Sequence, residues 1–485
     1  MDLVCEVKNL RLKYPGEESL LFKDVSSSFY KGEKVLLLGP SGCGKSTFLQ
    51  VLSGLIPKSI EVPMKAEKIL TPSSWGYVFQ DPDTQFCMPY VDEEMAFVLE
   101  NLQVQREQMH EKMRVYLEMV GLHFDDLHIS IQSLSGGTKQ RLAIATVLAL
   151  HPDVLFLDEP TAMLDPEGTK AVWDTMKQAA QDKTVIIVEH KIDHVLDFVD
   201  RILLFNQKGQ IVADGPKEQI FSRYRKEIRE DGIWYPGVWE DYLRDKQGYY
   251  KKTPLKEQVV IELEQFKGYR KKEVKIDVPY GKVHAGEWIA IVGKNGAGKS
   301  TLLHSLMQFI QTTGTYLLLE KEAKKIKKLS NMLSFVFQNP EFQFVTNSVY
   351  DEIAYSLRIE RMKEEEIRTK VEEMLELFHL QKHRHQHPYQ LSMGQKRRLS
   401  VAASIIKKQP IMLLDEPTFG QDSSNTFQLL ELLEHYRKQG STILMVTHDE
   451  QIAKHMATRI WRIEGGKLVE DEIHSCEDEQ MYVQI

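Results

Sequence analysis

The feature that most constrains this chain is that it is written twice. GPSGCGKST at 39–47 returns as GKNGAGKST at 293–301, and the lysines, Lys45 and Lys299, lie 254 residues apart. VFQDPDTQF at 78–86 returns as VFQNPEFQF at 336–344, with Gln80 and Gln338 258 apart. LSGGT at 134–138 returns as LSMGQ at 391–395, and LFLDEPT as MLLDEPT, each at an offset of 257. His190 and His448 are 258 apart. The register extends beyond these motifs. Met109, Met113, Tyr116, Leu117 and Val120 form an apolar stripe at helical spacing, and Ile367, Val371, Met374, Leu375 and Phe378 repeat it 258 residues on. Such a stripe is core packing rather than chemistry, so its repetition says that the halves share one fold.

The repeat divides the 485 residues into a first domain at 1–220, a connection at 221–258, a second domain at 259–475 and a tail at 476–485. Each half is long enough to bury its own core. The connection carries charge and aromatics (Trp234, Tyr235, Trp239, Tyr242, Tyr249, Tyr250) rather than Gly and Ser, which predicts helix and turn packed on the domain surfaces. A formal net charge of −8 argues against a nucleic-acid surface. No run of 18 apolar residues occurs, so no membrane-spanning helix is expected, and the charged start after Met1 does not read as a secretory leader. Cys5, Cys43, Cys87 and Cys476 have no metal or disulfide spacing and read as free thiols.

Each G-x-x-x-x-G-K-S follows a run that reads as a buried strand (34–38, 288–292) and precedes one that reads as a helix (46–52, 300–306). Loop amides and a helix N-terminus placed this way form a nest for phosphate oxygens. Gly39, Pro40, Ser41, Gly42, Cys43 and Gly44, with Lys45, Ser46 and Thr47, make one candidate nucleotide cradle. Gly293, Lys294, Asn295, Gly296, Ala297 and Gly298, with Lys299, Ser300 and Thr301, make the other. The lysines would reach the β- and γ-phosphates of ATP, and Ser46 and Ser300 would ligate Mg²⁺. Cys43 inside the first loop reads as a tolerated small residue, although a thiol there could make ATP binding sensitive to alkylation.

Asp158 and Glu159 end an apolar strand, as do Asp415 and Glu416. The aspartate there suits Mg²⁺, and the glutamate suits orienting or deprotonating the attacking water. Both halves keep the glutamate, so both are expected to hydrolyse ATP. Gln80 and Gln338, behind short strands, offer a neutral amide to Mg²⁺ and water. His190 and His448, at strand ends, are placed to hydrogen-bond the γ-phosphate.

Ser135, Gly136 and Gly137 precede an amphipathic helix and then the Asp-Glu strand. The order of phosphate loop, glutamine loop, LSGGx, Asp-Glu and histidine resembles the ATP-binding cassette (ABC) ATPases over nearly the whole chain. The resemblance implies an α/β fold of two tandem P-loop ATPase domains, each with a RecA-like core, an antiparallel β subdomain and a helical subdomain. It implies that Tyr14 and Tyr269 stack on adenine and that Asp165 and Asp422 are D-loop aspartates. It also implies intramolecular head-to-tail pairing, each ATP held between one phosphate loop and the other domain's LSGGx. One site would join Lys45, Ser46, Gln80, Asp158, Glu159 and His190 with Ser392, Gly394 and Asp422. The other would join Lys299, Ser300, Gln338, Asp415, Glu416 and His448 with Ser135, Gly137 and Asp165. Met393 replaces the first glycine of the second signature and would disfavour any positive φ there, so the first site is expected to be the slower.

The F-Q-x-P-x-x-Q segments are similar to those of ATPases in energy-coupling-factor importers, which take up vitamins and metal ions. That likeness implies an ATP- and Mg²⁺-dependent peripheral protein on the cytoplasmic face of the cell membrane. Its partners would be a membrane-embedded coupling subunit, docked on the segment after the glutamine, and a substrate-binding membrane subunit. Fused double ATPases of this kind resemble subunits of systems for thiamine or its pyrimidine precursor. Two other readings stay open. One is the motor of a conventional binding-protein-dependent importer. The other is a soluble ribosome-associated tandem ATPase, although the segments Ala162-Met163-Leu164-Asp165 and Phe419-Gly420-Gln421-Asp422 depart from the Asn-His-Leu-Asp usual there.

Overall fold

The computed structural model describes residues 2–17, 19–162, 164–246 and 257–473. It divides into two compact units, Met1–Val238 with Asp422–Ser424, and Trp239–Gln421 with Asn425–Ile485.

In the first unit the apolar runs become strands buried along their whole length: Lys34–Leu38, Val154–Asp158 and Thr184–Val188. Strands without alternation need cover on both faces, which a parallel sheet between helices supplies. The sheet runs Ile211–Pro216, Arg201–Phe205, Lys34–Leu38, Thr184–Val188, Val154–Asp158, Trp75–Val78, and only the first strand is antiparallel to its neighbour. A separate antiparallel sheet pairs Leu3–Leu12 with Phe22–Tyr30, Met64–Lys65 and Lys68–Leu70. Phe48, on the helix Lys45–Ser53, sits among the rings of Phe22, Phe29 and Phe205 at 5.8, 6.5 and 5.4 Å. It thereby ties the phosphate-loop helix to both sheets, each edge-on contact adding about 0.5–1.5 kcal/mol beyond the buried area.

The second unit repeats these elements in one ten-stranded sheet: Lys321–Glu322, Thr312–Leu318, Val259–Arg270, Glu273–His284, Lys467–Ile473, Arg459–Glu464, Trp288–Val292, Thr442–Val446, Ile411–Asp415, Leu333–Val336. A single parallel pairing, Asp277 with Lys467, joins its antiparallel part to its core part. Helices Arg106–Met119 and Glu364–Leu377 bury the two predicted stripes.

The helix behind the first signature, Gly136–Ala149, is not amphipathic: 142–149 is buried without a break, because sheet and helices enclose it from all sides. Helix Lys217–Arg223 runs from the end of the first domain into the connection, which continues as helices Arg225–Glu230 and Val238–Asp245. Trp239 and Tyr242 are buried against Phe427, with Tyr242 stacked flat at 3.9 Å and Trp239 edge-on at 5.0 Å, and Lys246 pairs with Glu431 at 2.9 Å. Tyr249, Tyr250 and the tail lie outside the described residues.

Candidate functional site

The chemistry-bearing residues collect at the carboxyl ends of parallel strands, where open α/β sheets bind ligands. The loop 39–44 leaves Lys34–Leu38, Asp158 ends its strand, His190 follows Thr184–Val188, and Gln80 follows Trp75–Val78. Two glycines show why the loop sequence is demanded. A Cβ at Gly39 would lie 2.8 Å from Cys43 Sγ and 2.9 Å from Phe205 Cβ. Gly44 caps the following helix at φ 103°, as Gly298 does at φ 106°, a region L side chains avoid.

Lys45, 6% exposed, donates to the carbonyls of Gly39 and Pro40 at 2.8 and 2.9 Å. Lys299 does the same to Gly293 and Lys294 at 2.7 and 3.0 Å. The loop's own carbonyls thus hold each ammonium beside the nest of amides. Ser46 Oγ donates to Asp158 Oδ1 at 2.7 Å, and Ser300 Oγ to Asp415 Oδ1 at 3.0 Å. Among the described residues no three His, Cys, Asp or Glu cluster as a metal cage. A hydroxyl and a carboxylate side by side are hard oxygen donors that fit Mg²⁺, which takes few protein ligands and completes its shell with phosphate and water.

Glu159 has φ 47° and Glu416 φ 51°, left-handed backbone at a non-glycine in both halves. Such local strain collects at functional sites, and nothing in the sequence signalled it. It leaves each glutamate N–H bonded across to the next strand, at Val188 and Val446. Gln80 Nε2 donates to Glu159 Oε2 at 2.8 Å, and His190 Nε2 lies 3.0 Å from Glu159 Oε1. Burial pushes the Glu159 carboxyl up, but His190 and then Lys45 outweigh it and hold it below its ordinary range. His448 Nε2 also lies 3.0 Å from Glu416 Oε1, close enough for an ion pair but not aligned as a hydrogen bond.

The halves differ where the sequence did not point. Tyr77 OH donates to Asp158 Oδ2 at 2.9 Å, while Phe335 stands at the corresponding place behind Asp415. Burial raises both aspartates, Asp415 to about 6. Glu189, beside His190, is 3% exposed and accepts from Thr161 Oγ1 at 2.8 Å; burial and then Glu159 push it up to about 7. Thr447 takes its place in the second half.

Two expectations are changed. Met393 opens its helix after Ser392 and is not among the residues of positive φ, nor is Gly136, so the signature asks for no left-handed backbone and Met393 strains nothing. Its 54% exposed side chain points away from any core. The Cys43 thiol is 1% exposed and burial raises its pKa, which makes it inert rather than a ready target for alkylation. The tyrosines are not equivalent: Tyr14 OH meets Thr47 Oγ1 of the phosphate loop at 3.0 Å, whereas Tyr269 OH meets Thr313 Oγ1 at 3.1 Å. Ser135 and Ser392 cap their helices through Thr138 N and Gln395 N, and Asp165 caps Pro166–Ala179 through Gly168 N. Met163 lies outside the described residues.

A sequence profile of the family described as ABC transporter matches residues 22–162 and 279–419. A Bacillus subtilis (strain 168) protein provisionally named HMP/thiamine import ATP-binding protein YkoD is 34% identical, over 95% of this chain and 89% of its own. A Streptococcus pneumoniae serotype 4 protein provisionally named an ABC transporter ATP-binding protein is 34% identical, over 97% of this chain and 91% of its own. Among solved structures, the archaeal ribosome recycling factor aABCE1, in complex with the ribosomal stalk protein aP1, is similar at a TM-score of 0.63 and 19% identity. It covers 94% of this chain and 88% of its own, a likeness of fold alone.

Proposed function

We propose that this chain, which belongs to the ABC transporter family, is the ATP-hydrolysing subunit of a membrane importer of the energy-coupling-factor type. The observation that carries the importer reading is the likeness, along 95% of the chain, to the protein provisionally named for HMP/thiamine import. Thiamine or its pyrimidine precursor is accordingly the cargo class we assign. The chain after the second glutamine loop supports the reading. Phe342 and Val345 are 75% and 63% exposed, and Tyr355 and Ile359 on the next helix 45% and 63%. Exposed apolar side chains concentrated in one stretch suit a protein partner, and a membrane-embedded coupling subunit is the partner this reading supplies. Among the described residues no helix is long and apolar enough to cross a membrane, so the membrane-spanning parts belong to other chains in this scheme.

In this reading each phosphate loop binds ATP through its amides and its lysine. Ser46, Asp158 and Gln80, and Ser300, Asp415 and Gln338, would hold Mg²⁺, which supplies charge neutralisation at the phosphates. Glu159 and Glu416 take the proton of the attacking water, and His190 and His448 hydrogen-bond the γ-phosphate. Glu159, held ionised beside His190, suits a general base.

The test is affinity purification of the full chain from mildly solubilised membranes of its source cell. Two small polytopic membrane proteins should co-elute; ribosomal proteins in their place would sink the proposal. ATP-driven uptake of the labelled pyrimidine should fall to background in Lys45→Ala and in Lys299→Ala.

A further inference from the structure

The glutamine loop of each half is gripped from three points by the signature helix of the same half. In the first, Lys139 Nζ donates to both oxygens of Asp83, at 2.7 and 2.8 Å. Gln140 Nε2 donates to Phe79 O at 3.3 Å. Gln85 closes the grip, its Oε1 accepting from Phe79 N at 3.3 Å while its Nε2 donates to Ala143 O at 3.1 Å. In the second, Lys396 Nζ donates to Glu341 Oε1 at 2.5 Å and Arg397 Nη1 to Phe337 O at 3.0 Å. Gln343 Nε2 donates to Ser400 O at 2.8 Å, and its Oε1 accepts from Ser400 Oγ at 2.8 Å.

Gln140 and Arg397 differ in size and charge, yet both reach the carbonyl just before the loop glutamine. Asp83 and Glu341 differ in length, yet both meet the lysine. A contact remade with different side chains in each half is one the fold keeps for its geometry. The loop is itself stiff: Asp81 and Asn339 cap its single turn through Asp83 N and Glu341 N at 3.0 and 2.9 Å. Glu94 and Glu352, both buried, hold its far end through the backbone N–H groups of residues 87–88 and 345–346.

Lys139 and Lys396 stand one helical turn beyond Ser135 and Ser392, at the signature end of the helix. At the other end of the linkage, Gln80 donates to the Glu159 carboxylate. We propose that Lys139 with Asp83, and Lys396 with Glu341, are the charged jaws of a latch that makes each glutamine loop and the first turns of its own signature helix move as one piece. These four are positioning residues, and the assignment of the signature to nucleotide rests on the ATPase reading above. A push on the loop then reaches the signature serine and the loop glutamine together. A half-exposed ion pair adds little to stability, and the buried remainder of the helix holds the fold without it.

Charge swaps in the full-length chain test the latch. Lys139→Asp and Asp83→Lys should each lower kcat for ATP by about fivefold or more, with KM for ATP within about twofold. The unfolding midpoint should stay within about 2 °C. Without nucleotide, amide hydrogen exchange across residues 79–88 should speed up in each single variant. The double swap should return both kcat and exchange close to wild type, as should the corresponding pair at Lys396 and Glu341. A double swap no better than the worse single variant, or single variants with unchanged exchange in the loop, would overturn the latch. A wild-type chain without ATPase activity would instead count against the function proposed above, and the exchange measurement would still decide the latch.

Discussion

Asp158 and Asp415 occupy the same place in the two halves but in different company. Asp158 accepts from two hydroxyls, Ser46 and Tyr77; behind Asp415, Phe335 offers no hydroxyl. A second donor fixes the rotation of a carboxylate, and losing such an outer partner commonly weakens metal binding about tenfold. Tyr77→Phe should therefore raise the Mn²⁺ concentration that half-saturates the ATP-loaded protein in spin-resonance titration, in one site of the two. An unchanged titration would show that Tyr77 is packing only. Glu189 gives a pH dependence. Its carboxyl is raised by burial and then by Glu159, with His190 and Thr161 pulling the other way, and reaches about 7. Between the ordinary carboxylate range and that value, the folded chain keeps a proton that the unfolded chain has lost. Stability therefore falls as pH rises through this window and levels off above it. The melting temperature of Glu189→Gln, relative to wild type, should rise from pH 5 to pH 8; a difference flat with pH would mean the carboxyl titrates normally.

The signature helix carries two requirements along one element. Its first turn passes from exposed at Ser135 and Gly136 to partly buried at Lys139 beside Asp83, while 142–149 is sealed in the interior. Truncation in that sealed part leaves a cavity that the surrounding strands and helices cannot close. Leu142→Ala, at a side chain of 0% exposure, should destabilise by about 2–5 kcal/mol in denaturant titration. A loss below about 1 kcal/mol would mean that the helix repacks freely. The helix also shows where pattern reading fails. Ala143, Ala145 and Ala149 are small enough for neighbours to approach on every side, so an element read as amphipathic is buried all round. Met393 fails the other way: a glycine-to-methionine exchange looks costly on paper, and at the first residue of a helix it meets ordinary backbone and open solvent.

At the scale of the whole molecule, each unit has a core of its own. One gathers around Phe48, Phe156 and Phe205, the other around Phe266, Trp461 and Leu413. The loss in Leu142→Ala should accordingly appear in one of two calorimetric transitions and leave the other in place; a single transition shifted as a whole would contradict separate cores. The repeat, the strands, the phosphate loops and the residues that end them are all legible in the order of residues. Those are periodic or spaced along the chain, and local chemistry imposes them: an apolar run must be covered, and a loop that wraps phosphate must be glycine-rich. The partners emerge only once the chain has folded. Tyr77 behind Asp158, Glu189 against Glu159, the left-handed backbone of both glutamates and the grip of Lys139 on Asp83 join residues dozens of positions apart or depend on a neighbouring strand. Composition and spacing carry no trace of which side chain will face which once the sheet has closed, because that choice is made by packing, and packing is settled by the whole unit at once.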